Sequence, residues 1–160
     1  MKINSLKWYS RFLKMAHETA SWSKDDSSKV GCVIVNDDGM VVSMGYNGMP
    51  RGVDDNIKDR YVRPYKYLWF EHAERNAIYQ AIGSVKGCTL FVTHVPCADC
   101  ARAIVQTGIN NVIIDAKNGK KSEFMKRMKE SAQVSLTMFK EAGIQVTEHE
   151  IGIENENEQS

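Results

Sequence analysis

Apolar residues near the start of the chain recur with helical spacing and then give way to short apolar runs. Residues 5–21 are predicted to form an amphipathic helix, because their apolar side chains lie three or four positions apart. These side chains are Leu6, Tyr9, Phe12, Leu13 and Ala16. The stretches "GCVIVND" and "VVSMGYN" follow, on either side of the turn-forming "DDG". This pattern predicts two strands joined by a tight turn.

The rest of the chain alternates helical periods with β-rich runs. Helices are predicted over residues 71–83, 98–108 and 122–143, and strands over 88–94, 110–115 and 144–151. Residues 56–69 are polar and aromatic with one proline, which indicates a loop. Residues 1–152 contain no repeat or domain boundary, so we expect one domain followed by a disordered tail over 153–160. The element order predicts an α/β fold, in which helices cover both faces of a mixed sheet.

Composition and charge limit the classes of function. The chain has 160 residues, 42% hydrophobic and 26% charged, as expected for one soluble globular domain. Its net charge of +1 gives no electrostatic reason to expect nucleic-acid binding. Charges interrupt the first twenty residues, and no stretch has the length and apolar character of a signal peptide or membrane span. We therefore expect a cytoplasmic protein whose four cysteines are thiols or metal ligands.

One histidine and two cysteines have the spacing of a metal site. His72 begins one predicted helix in "HAE", and Cys97 and Cys100 begin another in "PCADC". Cysteines three residues apart on a helix place their sulfurs on one side, and helix N-termini favour the thiolate form. Two thiolates and an imidazole suit zinc. Three protein ligands leave the fourth position for water, which is the arrangement of a catalytic rather than a structural zinc.

Glu74 is the candidate for proton transfer at this site. Zinc brings the pKa of water towards about 7, and a carboxylate nearby can accept that proton and pass it to a leaving group. Side chains two residues apart on a regular helix point away from each other. Glu74 must therefore reach the site from the end of the helix, which the spacing alone does not establish.

The His-x-Glu and Pro-Cys-x-x-Cys motifs resemble the signature of the zinc-dependent cytidine and deoxycytidylate deaminase family. The resemblance covers most of the chain, through "VGCVIVNDDGMVVSMGYNGMPRGVDD", "KYLWFEHAERNAI" and "VKGCTLFVTHVPCADCARAIVQTGINNVI". The loop "GYNGMPRG" points to the deoxycytidylate deaminase branch, because the general signature does not require it. The resemblance implies a three-layer α/β/α cytidine-deaminase-like fold with a central mixed sheet of about five strands.

The resemblance also implies a reaction. It would be the hydrolytic deamination of dCMP to dUMP with release of ammonia, supplying dUMP for thymidylate synthesis, with one zinc per chain. Glu74 would move the protons during attack at C4 of the ring. Asn47 would contact the sugar, and the backbone of Ala73 would contact the exocyclic amine.

The residues that bind the phosphate are harder to assign. In the family the segment before the first strand contacts substrate, which favours Ser28 and Lys29. Arg102 is a further candidate, since it follows the zinc cysteines. Arg51, in the "GYNGMPRG" loop, is another cation near the predicted site.

Members of the family commonly form hexamers, and many are activated by dCTP and inhibited by dTTP. For such a regulatory nucleotide the resemblance suggests Tyr46, Gly48, Arg51 and Asp54, with Mg²⁺ accompanying the triphosphate. The expected partners are therefore nucleotides and further copies of the chain, and neither nucleic acid nor a membrane.

Several alternatives stay open at this point. A Cys-x-x-Cys pair alone also occurs in redox motifs and in structural zinc sites. A tRNA adenosine deaminase shares the metal motif but needs a basic surface, and a cytidine deaminase commonly has cysteine in place of His72. A non-catalytic zinc-binding module would have no use for Glu74, while dCTP as a second substrate would differ only at the phosphate pocket. Cys32 and Cys88 are interpreted as buried apolar residues, and His94 as structural or in contact with substrate.

Overall fold

The computed structural model describes residues 5–119 and 123–153. The helices are α1 (Leu6–Ser21), α2 (Lys66–Trp69), α3 (Ala73–Gln80), α4 (Ala98–Thr107), α5 (Ala116–Gly119) and α6 (Glu123–Glu141). The strands are β1 (Gly31–Val35), β2 (Val41–Tyr46), β3 (Thr89–Val92), β4 (Asn111–Asp115) and β5 (Gln145–His149). The predicted disordered tail lies outside the described residues, except for Ile153. None of the helices in the described ranges combines the length and the apolar character needed to cross a bilayer.

The five strands form one mixed sheet in the order β2-β1-β3-β4-β5. Strand β1 pairs antiparallel with both β2 and β3, whereas β3–β4 and β4–β5 are parallel. The parallel pairs require crossovers, which α4 and α6 provide. The prediction of a mixed α/β sheet of about five strands is confirmed.

Alternating side chains of the sheet fill two separate cores, which gives the fold three layers. On one face, Val33, Val35, Phe91 and Ile113 pack with the apolar stripe of α1. On the other, the intervening strand residues pack with α3, α4 and α6, and this core includes Cys32 and Cys88. Both cysteines are buried and free, as predicted. Strand β1 is buried at all five positions because it has helices on both sides.

Two elements differ from the sequence-based expectation. The predicted loop over residues 56–69 contains a 3₁₀ turn (Lys58–Tyr61) and the short helix α2. This segment is anchored by tertiary contacts that periodicity does not reveal: Tyr61 packs edge-on against Phe70, and Lys66 is buried. Helix α3 ends at Gln80 rather than near Gly83, because Ala81 leaves the helix with an extended backbone.

Helix α3 lies against β2 at Gly45. A Cβ atom at this glycine would lie 2.4 Å from the carbonyl oxygen of Ala73 and 2.4 Å from the amide nitrogen of Ala77. A side chain here would therefore push the helix off the sheet. The absence of one allows the start of α3 to pack directly over the strand.

Candidate active site

The structure brings His72, Cys97 and Cys100 together at the N-termini of α3 and α4. Their ligand atoms all lie within 4.8 Å of one another. Nδ1 of His72 is 3.3 Å from Sγ of Cys97 and 3.5 Å from Sγ of Cys100. Ligand atoms about 2.0 and 2.3 Å from a tetrahedral ion lie about 3.5 Å apart. The donor set and its spacing therefore fit zinc, and no other such group of three occurs among the described residues.

The backbone at both helix starts explains how these side chains converge. His72 and Cys97 are the N-cap residues of α3 and α4, with extended backbones. His72 was predicted to lie within the first helical turn, whereas the position of Cys97 just before its helix agrees with the helix predicted over 98–108. The α4 start is fixed further by Ser131, whose hydroxyl accepts a hydrogen bond of 2.8 Å from the amide of Ala98. Two helix N-termini therefore face the site, and their partial positive charges favour anionic ligands.

Hydrogen bonding within the ligand group shifts the pKa values of the two cysteines in opposite directions. A hydrogen bond from Cys100, with a further one from His72, lowers the pKa of Cys97 to about 4 against the effect of burial. The pKa of Cys100 is raised, because its thiol donates to Cys97 and is buried. The pKa of His72 is raised by its hydrogen bond to Cys97. The lowered pKa of Cys97 favours the thiolate, which is the form that binds metal.

Glu74 lies beside this group in the first turn of α3. Its side chain is buried, and Oε2 is 3.5 Å from Sγ of Cys100. Burial raises the pKa of Glu74, because the charged carboxylate loses its hydration. A buried carboxyl group with a raised pKa next to a metal-ligand cluster can accept a proton and return it.

A cavity of about 490 Å³ opens onto the ligand group. Among the residues predicted to bind zinc or substrate or to act in catalysis, six line it: Ser28, Asn47, His72, Ala73, Glu74 and Cys97. The remaining lining residues come from the segments before β1 and before α3, from the residues after β3, and from α3, α4 and α6. These residues are Asp25, Val30, Arg63, Lys66, Tyr67, Phe70, Arg75, His94, Val95, Asp99, Met128 and Ser131.

Asn47 is held rigidly in the cavity wall. Its Oδ1 accepts a hydrogen bond of 2.8 Å from the amide of Val30, and its Nδ2 donates to the carbonyl of Ser28 at 2.8 Å and to Oδ2 of Asp25 at 3.2 Å. Both N–H groups of the amide are thus used, whereas Oδ1 has a second lone pair. Asn47 can therefore accept one hydrogen bond from a ligand hydroxyl.

Two of the predicted substrate residues do not line the cavity. Lys29 is exposed, and Arg102 is exposed on α4 with its guanidinium paired to Asp99. The prediction that these two cations bind substrate is therefore not supported by their positions. Both are near the site in sequence, but their side chains lie on the surface.

The four residues predicted for a regulatory nucleotide also lie outside this cavity. Tyr46 packs edge-on against Trp22, and Asp54 accepts hydrogen bonds from Asn56. Arg51 is exposed. Gly48 forms a β-bridge with Glu71, which ties the "GYNG" loop to the residue before His72.

Sequence analysis did not identify Asp25 and Lys66, two charged residues that also line the cavity. Lys66 is 6% exposed and forms an ion pair with Asp25. Burial would raise the pKa of Asp25, but hydrogen bonds from Lys66 and Ser27 outweigh it and the pKa is lowered. The sequence offers no signal for this pair, because Lys66 falls in a segment without periodicity.

His94 lines the cavity as a neutral imidazole. Burial, with the charge of His17, lowers the pKa of His94 to about 4. Its Nδ1 is 2.8 Å from the hydroxyl of Thr93, which also accepts a hydrogen bond from the amide of Gly31. The hydrogen bond to Thr93 fixes the orientation of the imidazole in the cavity wall.

Comparison with known proteins agrees with this geometry. The family model for the cytidine and deoxycytidylate deaminase zinc-binding region matches residues 6–116. A deaminase encoded in the luxG 3′ region of Aliivibrio fischeri is 45% identical over 141 residues, covering 88% of this chain and 92% of that protein. The deoxycytidylate deaminase of Homo sapiens is 40% identical over 116 residues, covering 68% of this chain. The alignment covers 64% of the human protein, so the chain matches less than two thirds of its length.

Solved structures show the same fold. The dCMP deaminase of cyanophage S-TIM5 in apo form superposes with a TM-score of 0.67 at 26% identity, covering 88% of this chain and 95% of that chain. Its complex with dCMP and dUMP superposes with a TM-score of 0.67 at 27% identity, covering 86% and 93%.

Proposed function

Because the chain belongs to the cytidine and deoxycytidylate deaminase family, we propose that it is a zinc enzyme that deaminates dCMP to dUMP and ammonia. The observation that carries this proposal is the buried carboxyl group of Glu74 beside the ligand group of His72, Cys97 and Cys100, with Glu74, His72 and Cys97 lining the cavity. The cyanophage enzyme solved with dCMP and dUMP supports the choice of substrate.

His72, Cys97 and Cys100 would hold the zinc ion. Zinc supplies a water molecule that is nucleophilic at neutral pH. Each chain would hold one ion, since the described residues contain one such ligand group.

Glu74 would act as the proton carrier. It takes the proton from the attacking water, delivers it to N3 of the cytosine ring, and then assists departure of the amino group as ammonia. Its raised pKa suits both directions of transfer, because a carboxyl group that titrates nearer to neutrality both accepts and releases protons readily. Glu74 is buried in the first turn of α3, which keeps this proton exchange away from bulk solvent.

Asn47 and Ala73 would orient the substrate. The free lone pair on Oδ1 of Asn47 suits a sugar hydroxyl as donor, and the side chain's other bonds fix its direction. Ala73 lies between the zinc ligand and the proton carrier, so its backbone would contact the exocyclic amine. Holding the ring and sugar in one geometry is itself a large part of a rate enhancement.

Hexamer formation and regulation are further parts of the proposal. Activation by dCTP and inhibition by dTTP, with Mg²⁺ on the triphosphate, would involve the "GYNG" loop. The β-bridge between Gly48 and Glu71 connects that loop directly to the residue before His72. Adding dCTP or dTTP with Mg²⁺ to the assay below, and measuring the mass of the assembly by light scattering, tests both.

The test of the main proposal is ammonia release by the zinc-loaded protein. The substrates are dCMP, cytidine, dCTP and an adenosine-containing RNA hairpin, and the variant Glu74→Ala is measured in parallel with its zinc content. We expect turnover of dCMP, lost by about 10²- to 10⁴-fold in Glu74→Ala with zinc retained. Turnover of dCTP or of the RNA instead would assign another substrate, and no turnover of any of the four with zinc bound would exclude these substrates and favour a zinc-binding module.

A further inference from the structure

Two cations meet at one hydroxyl group on the cavity wall. Nζ of Lys66 donates a hydrogen bond of 2.8 Å to Oγ of Ser27, and Nη2 of Arg63 donates to the same oxygen at 3.1 Å. The Ser27 hydroxyl in turn donates to Oδ1 of Asp25 at 3.0 Å. Both lone pairs and the proton of this hydroxyl are used, so Ser27 holds the two cations side by side.

Arg63 carries the uncompensated charge of this cluster. Lys66 is paired with Asp25, and Arg75, the remaining arginine on the cavity wall, is paired with Glu71. Within the described ranges no carboxylate lies within ion-pair distance of Arg63. A guanidinium has five N–H donors, and one Arg63 donor binds Ser27 while another binds the hydroxyl of Tyr67 at 3.0 Å. Three donors remain for a ligand, as far as the described residues show.

The cluster lies next to the residue proposed to contact the sugar. Oδ2 of Asp25, which accepts from Lys66, also accepts a hydrogen bond of 3.2 Å from Nδ2 of Asn47. Oδ2 of Asp25 thus contacts both Asn47 and Lys66. In a 5′-nucleotide the phosphate is attached to the sugar, so a ligand whose sugar contacts Asn47 carries its phosphate into this neighbourhood.

The geometry points to Arg63, supported by Lys66, as the group that binds the 5′-phosphate and selects a nucleotide over a nucleoside. This inference rests on the proposed function. An arginine with free donors binds phosphate oxygens in a bidentate manner, and a neighbouring buried ammonium strengthens the local field. Tyr67 and Ser27 hold the guanidinium in place, which reduces the entropy lost when phosphate binds. The candidates from sequence analysis were Ser28, Lys29, Arg51 and Arg102, and of these only Ser28 lines the cavity.

The test compares dCMP with deoxycytidine in the variant Arg63→Gln. We expect kcat/KM for dCMP to fall by about 10- to 100-fold, mostly through KM, as for the loss of a hydrogen-bonded charge pair. For deoxycytidine, which has no phosphate, we expect a change of less than about threefold. Arg63→Lys keeps the charge without the planar fork and should show a smaller loss for dCMP.

Arg11→Gln is the matched control, because Arg11 is an exposed arginine on α1 that stacks on Trp8 and does not line the cavity. This variant should leave kcat/KM unchanged for both dCMP and deoxycytidine. If Arg63 had only a structural role, Arg63→Gln would lower kcat/KM equally for dCMP and for deoxycytidine. That result would overturn the inference. A loss of the dCMP preference in Arg102→Gln but not in Arg63→Gln would also overturn it.

Failure of the proposed function has a different signature. In that case the wild-type zinc-loaded protein would release no ammonia from dCMP, and titration calorimetry with dCMP and deoxycytidine replaces the kinetic assay. Binding of dCMP that weakens by about tenfold or more in Arg63→Gln would support the phosphate site even then. Equal binding of dCMP by the variant, or no binding of dCMP by the wild type, would overturn it.

Discussion

The buried ion pair between Asp25 and Lys66 should be a major contributor to stability. Their side chains are 4% and 8% exposed. Oδ2 of Asp25 accepts from Lys66 and from Nδ2 of Asn47, while Oδ1 accepts from the amide of Ser27 at 2.9 Å and from its hydroxyl at 3.0 Å. Every acceptor position of this carboxylate that faces the protein thus meets a donor.

The substitution Asp25→Asn cannot preserve this pattern. In one orientation its NH₂ group faces Lys66 and Asn47, and in the other it faces the amide of Ser27, so donor meets donor either way. It also leaves the buried ammonium of Lys66 without a carboxylate. Removing one partner of a buried pair costs about 3–5 kcal/mol, and we expect that loss in the free energy of unfolding.

Lys66→Met should cost less, because Asp25 keeps the donors from Ser27 and Asn47 and loses only one of them. We expect about 2–3 kcal/mol, near the lower limit for a broken buried pair. The double variant should be less destabilised than the sum of the two, with an interaction energy of about 2 kcal/mol.

Urea unfolding followed by circular dichroism measures these changes. Zinc is held at one saturating concentration throughout, because a metal that binds only the native state adds to the apparent stability. A cost below about 1 kcal/mol for Asp25→Asn would refute the reasoning, as would additivity of the two single changes within about 0.5 kcal/mol.

The pH dependence of the same difference gives a second check. The pKa of Asp25 is lower in the folded protein than the unfolded value of about 3.9. Its contribution to stability is therefore fully present above the unfolded pKa and is lost as pH falls through the folded pKa. The difference in unfolding free energy between wild type and Asp25→Asn should be constant from about pH 5 to 7 and should shrink below about pH 4. A difference that grew with acidity would contradict the assigned shift.

Two further predictions concern the scaffold and the metal. Gly45→Ala should lower the unfolding free energy by about 1–3 kcal/mol and weaken zinc binding, because its Cβ would displace the start of α3. Gly48→Ala is the control, since nothing lies within 4 Å of a Cβ there, and equal losses in the two variants measured by urea unfolding and zinc titration would contradict the packing argument. Removing zinc with a chelator should lower Tm and abolish turnover, with recovery on adding zinc back; an unchanged Tm in differential scanning calorimetry would show that the ion does not link α3 to α4.

The fold was predictable where one local pattern settles the structure. The apolar runs on either side of "DDG" predicted two strands joined by a turn, and the structure confirms them as the antiparallel pair β1 and β2. The grouping of His72, Cys97 and Cys100 was predictable for the same reason, because their spacing is carried by short motifs. Residues 56–69 gave no such pattern, since their conformation depends on contacts such as that between Lys66 and Ser27, 39 positions apart.

Helix geometry explains both how Glu74 reaches the site and why Arg102 does not. Residues two apart on a helix point in different directions, which made the His-x-Glu spacing look unfavourable. His72, however, is an N-cap with φ −86° and ψ 154°, so the rule does not apply to it, and Glu74 can approach the same point from within the first turn. Arg102 has no such freedom. It is two residues beyond Cys100 inside α4, so it points away from the ligand group and pairs with Asp99 on the surface. Proximity in sequence to a motif therefore predicts a contact only after the position of each residue relative to its helix end is taken into account.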